Sequence, residues 1–186
     1  RALRTPEYYK LHPMGRVPVL EDGKVRIYES GAIVQYLLAR HGEGKFQPNI
    51  NDPSFPDYLQ WLHYAEGSIM QQVNSLVVET ILLPPEKKND VNVARALKLL
   101  KVALKNIDNR LQDRDYLAGD FSGADIMTGH SCYAAKRLEV DVSEMTNLNK
   151  YVDRLLERPA LKKAISLWWK ILIQLIFYSL TSLFKN

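Results

Sequence analysis

The tightest constraint on this chain lies in residues 12–31. There His12-Pro13-Met14-Gly15-Arg16 leads into two short apolar runs, Val17 to Leu20 and Val25 to Tyr28, separated by Glu21-Asp22-Gly23-Lys24. An Asp-Gly pair between β-branched runs of strand length is a hairpin signal. Val17-Pro18 is a candidate cis peptide, since X-Pro bonds are nearly the only ones that adopt cis at low cost and they do so in tight turns. Glu29-Ser30 then stands where strand gives way to helix. The opening amides of a helix lack intrahelical partners and carry a partial positive charge, a combination that receives a carboxylate. Ser30 adds a hydroxyl, and Glu29 can meet an ammonium group. The pair suits the head of an α-amino acid, while main-chain groups of Val17 turned outward by the bend suit a peptide backbone.

Downstream the pattern changes. Ala32 to Arg40 reads as a helix with Ile33, Leu37 and Leu38 on one face, stopped by His41-Gly42-Glu43-Gly44. Gln47 to Pro53 is a polar, proline-marked linker. Beyond it every apolar repeat has helical period: Tyr58, Trp61, Leu62, Ala65 and Ile69, then Val93, Leu97, Leu100, Leu104, Ile107 and Leu111. Ser122-Gly-Ala-Asp125 has the spacing of a capping box, a helix start worth about 0.5–2 kcal/mol. It reads as a structural element with no catalytic part.

This order of residues resembles the glutathione S-transferase family, in bacterial-type form, over roughly Arg1 to Ile165. The Val17-Pro18 turn, the Glu29-Ser30 pair and the Ser122-x-x-Asp125 box are its specific parts. Tyr116-Leu-Ala-Gly119, Trp61 to Glu66 and Tyr151 to Pro159 also look like stretches of bacterial members. The resemblance implies an α+β chain: a partial, thioredoxin-like, glutathione-binding domain (1–42, the second half only), a linker (43–53) and an all-helical C-terminal domain (54–166). It implies glutathione as co-substrate, held by Val17, Pro18, Glu29 and Ser30 with help from Arg16. His63, Tyr64 and Met70 are expected to line the pocket for the second substrate. The residue that stabilises the thiolate is expected in an amino-terminal segment this sequence does not carry, and the missing initiator Met favours a truncated chain. The implied activity is conjugation of the glutathione thiolate to small apolar electrophiles, or glutathione-dependent thiol or peroxide chemistry. The alternative is a noncatalytic ligand-binding or interaction protein of the same fold. A two-fold homodimer with the Tyr58–Val73 helix at its contact, and a cytoplasmic location, complete the expectation. The resemblance also raises Glu66 as an acidic group lent across the dimer to the γ-glutamyl amine, weighed against an ordinary exposed helical residue.

Other features narrow the field. The net charge of +4 is scattered along the chain, with no clustered basic stripe of the kind nucleic-acid binding requires. The four histidines show no metal-ligand spacing, so no metal is expected. Cys132 is the only cysteine, and it reads as a buried, inert thiol. The tail, 167–186, is mostly apolar and borders on the length of a membrane span. A packed segment, or an end without an evolved role, outweighs a membrane anchor there.

Overall fold

The computed structural model describes residues 2–167. A short 3₁₀ turn (Ala2–Arg4) precedes α1 (Pro6–Tyr9). Thr5 caps α1 by accepting the Tyr8 N–H at 3.2 Å, and Pro6 sits in the first turn, where its missing N–H costs nothing. The hairpin follows as β1 (Val19–Asp22) and β2 (Val25–Tyr28), antiparallel, with Val19 opposite Tyr28 and Asp22 opposite Val25. Gly23, at φ 59°, opens the two-residue loop in the manner of the primed hairpin turns. The first strand begins two residues later than its apolar run, because Pro18 has no N–H for a ladder, and Asp22 extends it.

Helix α2 (Ser30–His41) buries Ile33 and Leu38. Leu37, expected on the same face, is partly exposed. The segment after it ties the two halves together. Gly123 donates its N–H to the Phe46 carbonyl at 2.8 Å, the Phe46 ring meets Phe121 edge-on at 5.6 Å, and α2 lies against the helix that begins at Gly123.

The helical half begins with α3 (Phe55–Tyr64), runs through a wide π-helical turn (Ala65–Met70) into α4 (Gln71–Val77), and ends in a second wide turn (Val78–Leu82). The antiparallel α5 (Asp90–Arg110) packs on α4. Then come α6 (Gly123–Arg137), α7 (Thr146–Leu156) and a last helical stretch at 159–167. The periodic residues behave as their spacing demands: Tyr58, Trp61, Leu62, Ala65, Ile69, Leu100, Leu104, Ile107 and Leu111 are all buried in one core. Val93 and Leu97 pack at its margin. The helix expected at a dimer contact, 58–73, therefore spends its apolar face on the chain's own core.

Three carboxylates join one element to another, and one of them also caps its own helix. At the start of α6, Asp125 accepts the Ser122 N–H at 2.9 Å, completing the capping box, and also the Leu117 N–H at 3.0 Å and the Tyr151 hydroxyl at 2.9 Å. Asp108 accepts the Asn147 and Leu148 amides at 2.8 and 3.0 Å, fixing the start of α7 to α5. Glu79 accepts the Asn89 N–H at 2.9 Å and the Asn92 side-chain amide at 2.8 Å, fixing the start of α5 to the end of the preceding helix. The expectations for the tail beyond residue 167 lie outside the described residues. No helix among the described residues is long and apolar enough to cross a membrane.

Candidate functional site

Segment 12–16 is strapped to α1 before it reaches the bend. His12 donates its N–H to the Tyr8 carbonyl at 2.9 Å, Gly15 donates to the His12 carbonyl at 2.9 Å, and the Met14 N–H donates to His12 Nδ1 at 3.1 Å. From outside, the Tyr8 hydroxyl donates to the Arg16 carbonyl at 2.7 Å, and Arg4 donates to the Met14 carbonyl at 3.0 Å. Gly15 is required here on two counts. Its φ is 59°, and a Cβ would stand 2.4 Å from the Leu3 carbonyl oxygen. The Val17–Pro18 peptide bond that follows is cis, and Val17 is 64% exposed, outside a ladder that starts at Val19.

On the other side of the hairpin, Glu29 takes φ 79° and ψ 117°. A non-glycine residue at positive φ costs on the order of 1–3 kcal/mol and marks a place where the surroundings dictate the backbone. The Glu29 carbonyl accepts the Ile33 N–H at 2.9 Å, so the Ser30, Gly31 and Ala32 amides open α2 ahead of the first intrahelical bond. Glu29 is exposed and Ser30 half-buried.

Arg16, Val17, Pro18, Glu29 and Ser30 line one cavity of about 710 Å³. All five residues assigned to the peptide site from sequence are thus brought together. The opposite wall is helical: Glu66, Met70 and Asn74 recur every four residues and face the same space. Met70, expected at the pocket for the second substrate, lines this cavity. His63 and Tyr64 do not line this cavity; the wide π-helical turn at Ala65–Met70 stands between them and Asn74. Tyr64 instead packs its ring on Trp61 at 4.9 Å, donates its hydroxyl to the Ala103 carbonyl at 3.3 Å, and accepts from the Asn106 side chain at 3.2 Å. His63 is exposed.

Two wall residues were underweighted by sequence reasoning. Glu66 carries a helical-spacing signal with Met70, which could have placed it. His12 is buried, lines the cavity and stacks on Tyr28 with ring centroids 4.7 Å apart. Its only sequence cue is its place ahead of the bend. The cavity therefore offers carboxylates at Glu29 and Glu66, the amide-rich end of α2 with the Ser30 hydroxyl, and the Arg16 guanidinium. It can hold a molecule bearing both an ammonium and carboxylates.

A second, apolar cavity of about 360 Å³ lies on the next face of α4, lined by Val73, Val77, Tyr133, Leu138 and Leu161 among others, and it shares Val77 with the first. Cys132 lies buried in α6, where desolvation pushes its thiol far above the ordinary range. Among the described residues no group of His, Cys, Asp or Glu could hold a metal ion.

Family models describe two parts of the chain: "Glutathione S-transferase, N-terminal domain" matches residues 2–39, and "Glutathione S-transferase, C-terminal domain" matches residues 71–159. Glutathione S-transferase 4 of Zea mays is 31% identical over 170 residues, covering 86% of this chain and 74% of that one. An elongation factor 1-gamma of Prunus avium is 30% identical over 173 residues, covering 87% of this chain but 39% of its own. Among solved structures, the theta class glutathione S-transferase from Xanthomonas axonopodis pv. citri, with glutathione bound, superposes with a TM-score of 0.76 at 28% identity. That match covers 87% of this chain and 77% of the other.

Proposed function

This chain belongs to the glutathione S-transferase family, and from that premise we propose that the 710 Å³ cavity holds glutathione as co-substrate for conjugation to a small apolar electrophile. The observation that carries the reading is that the bend at Val17–Pro18 and the start of α2 at Glu29–Ser30 face one cavity. In this reading, residues 1–42 form the partial glutathione-binding domain, 43–53 the linker and 54–166 the helical domain.

The chemistry follows from the groups present. The γ-glutamyl carboxylate sits on the Ser30 hydroxyl and the opening amides of α2, where the helix end favours a negative charge. Glu29 takes the γ-glutamyl ammonium. The main chain of Val17 pairs with the cysteinyl backbone, Pro18 shapes the bend, and the Arg16 charge attracts the glycyl carboxylate. Gripped at three points, the tripeptide presents its sulfur towards the helical wall, with Met70 on the side from which an electrophile approaches. The reaction is attack by the thiolate on an electrophilic carbon: a carbon–sulfur bond forms, and the leaving group departs with the bonding pair. A free thiol of pKa about 8.5 is mostly protonated at neutral pH, so a donor to the sulfur is part of the mechanism. None of the described residues is assigned to that task. The proposal includes a homodimer in the cytoplasm. Support for the pairing comes from Ile81, Leu82, Val91 and Val102, apolar side chains of the 78–102 region that stand more than half exposed.

A second reading is favoured by the 30% identity to an elongation factor 1-gamma: the same fold used for binding or interaction without turnover. Calorimetry and turnover separate the two. The full chain is expected to bind glutathione, with affinity falling about three- to tenfold in Ser30→Ala, the worth of one hydrogen bond. A folded chain that gives no binding heat removes the glutathione site. Release of halide from a chromogenic aryl halide supports the transferase, whereas binding without turnover favours the second reading.

A further inference from the structure

Resting on the proposed glutathione site, we infer that His12 is the positioning residue that fixes the Val17–Pro18 bend relative to the Glu29–Ser30 helix start. His12 is 2% exposed and is held at four points. Its N–H goes to the Tyr8 carbonyl, its carbonyl takes the Gly15 N–H, its Nδ1 takes the Met14 N–H at 3.1 Å, and its ring lies 4.7 Å from the Tyr28 ring. The first three contacts close the turn that delivers Arg16 and Val17. The fourth crosses the hairpin to the residue immediately before Glu29. The His12 ring therefore adds a link between the two halves of the site, beside the Val19–Tyr28 ladder pair and the bond from Arg26 to the Lys10 carbonyl at 2.8 Å.

The tautomer follows from the geometry. A ring nitrogen that accepts an amide N–H carries no proton, so the neutral imidazole bears its hydrogen on Nε2. The essential service is the acceptor facing residue 14, two positions along the chain. An asparagine side-chain oxygen can supply that acceptor, because it reaches the backbone two residues on in the same way. This chain already does so elsewhere: Asn49 Oδ1 accepts the Asn51 N–H at 3.0 Å. Alanine cannot.

The test compares His12→Ala and His12→Asn with the unaltered full chain, using amide hydrogen exchange across residues 10–20 and calorimetry with glutathione. His12→Ala is expected to speed exchange at the Met14 and Gly15 amides and to weaken glutathione about tenfold, the worth of a lost hydrogen bond. His12→Asn is expected to restore protection and to return affinity to within about threefold of the unaltered chain. A purely packing role for the ring predicts that asparagine fails as badly as alanine. That result overturns the inference, as does an alanine variant with unchanged exchange and affinity. If the unaltered chain binds no glutathione while the exchange pattern holds, the glutathione reading fails and the positioning role stands, so the two failures are distinguishable.

Discussion

Cys132 has no exposed surface, and burial pushes its thiol up so far that the thiolate is absent at neutral pH. Because the thiolate is the reactive form, the native chain is expected to resist an aromatic disulfide reagent and to release its one equivalent of chromophore only in denaturant; rapid native labelling contradicts the assignment. Gly15 is the opposite kind of residue, exacting for its backbone. Gly15→Ala places a methyl 2.4 Å from the Leu3 carbonyl at a φ of 59°. It is expected to weaken glutathione binding at least tenfold, with a smaller loss in melting temperature because the helical core is remote, and calorimetry with thermal melting checks both. At this scale the sequence disclosed residues whose partners are near in the chain. Ser122 and Asp125 sit three apart and cap as their spacing says, and Val17, Pro18, Glu29 and Ser30 are bound together by one hairpin. Tyr64 was not legible, because its partners Ala103 and Asn106 lie some forty positions away, and no local pattern reports a contact across helices.

Between elements, the decisive groups are carboxylates that hold the start of one helix to the body of another. Asp108 is 3% exposed. Burial alone would raise its pKa, but the Lys105 ammonium and the Leu148 and Asn147 amides outweigh that and hold the carboxyl below its usual range. Removing it strands those two amides at the start of α7. Asp108→Ala is expected to cost about 1–3 kcal/mol in urea unfolding, and a loss below about 0.5 kcal/mol would contradict the role. Element types and periods were readable, α5 most clearly, since its apolar residues recur over twenty-one positions. Boundaries were less so. The first strand starts at Val19 because proline cannot join the ladder, and α2 starts at Ser30, two residues ahead of the Ala32 start expected from its apolar pattern.

For the molecule as a whole, Asp108 and Glu79 both titrate below their ordinary values. In Glu79 the cause is the Asn92 side-chain amide, then the Asn89 N–H. A carboxylate whose pKa is lower folded than unfolded contributes stability that is fully present above the unfolded value, about 4. That stability is lost as pH falls through the lower native value. Asp125 runs the other way, since burial raises its pKa against the donors around it. Its contribution therefore shrinks as pH rises above about 4. Urea midpoints are expected to fall steeply below pH 4, and to fall less steeply in Asp108→Asn. A midpoint that does not move between pH 6 and pH 3 contradicts this balance. The two-part architecture was legible because composition shifts from strand-forming to helical near residue 43. The far wall of the cavity was legible only in part: Met70 and Glu66 were candidates from the sequence, but which row of a long amphipathic helix faces the hairpin is set by packing, and Asn74 is found only in three dimensions. The account rests on a tripeptide lying between that wall and the α2 start, and amide chemical-shift mapping with glutathione tests this most directly. Titration should move the Val17, Ser30 and Gly31 amides most. Shifts clustered instead around Tyr133, Leu138 and Leu161, with those three amides still, would contradict it.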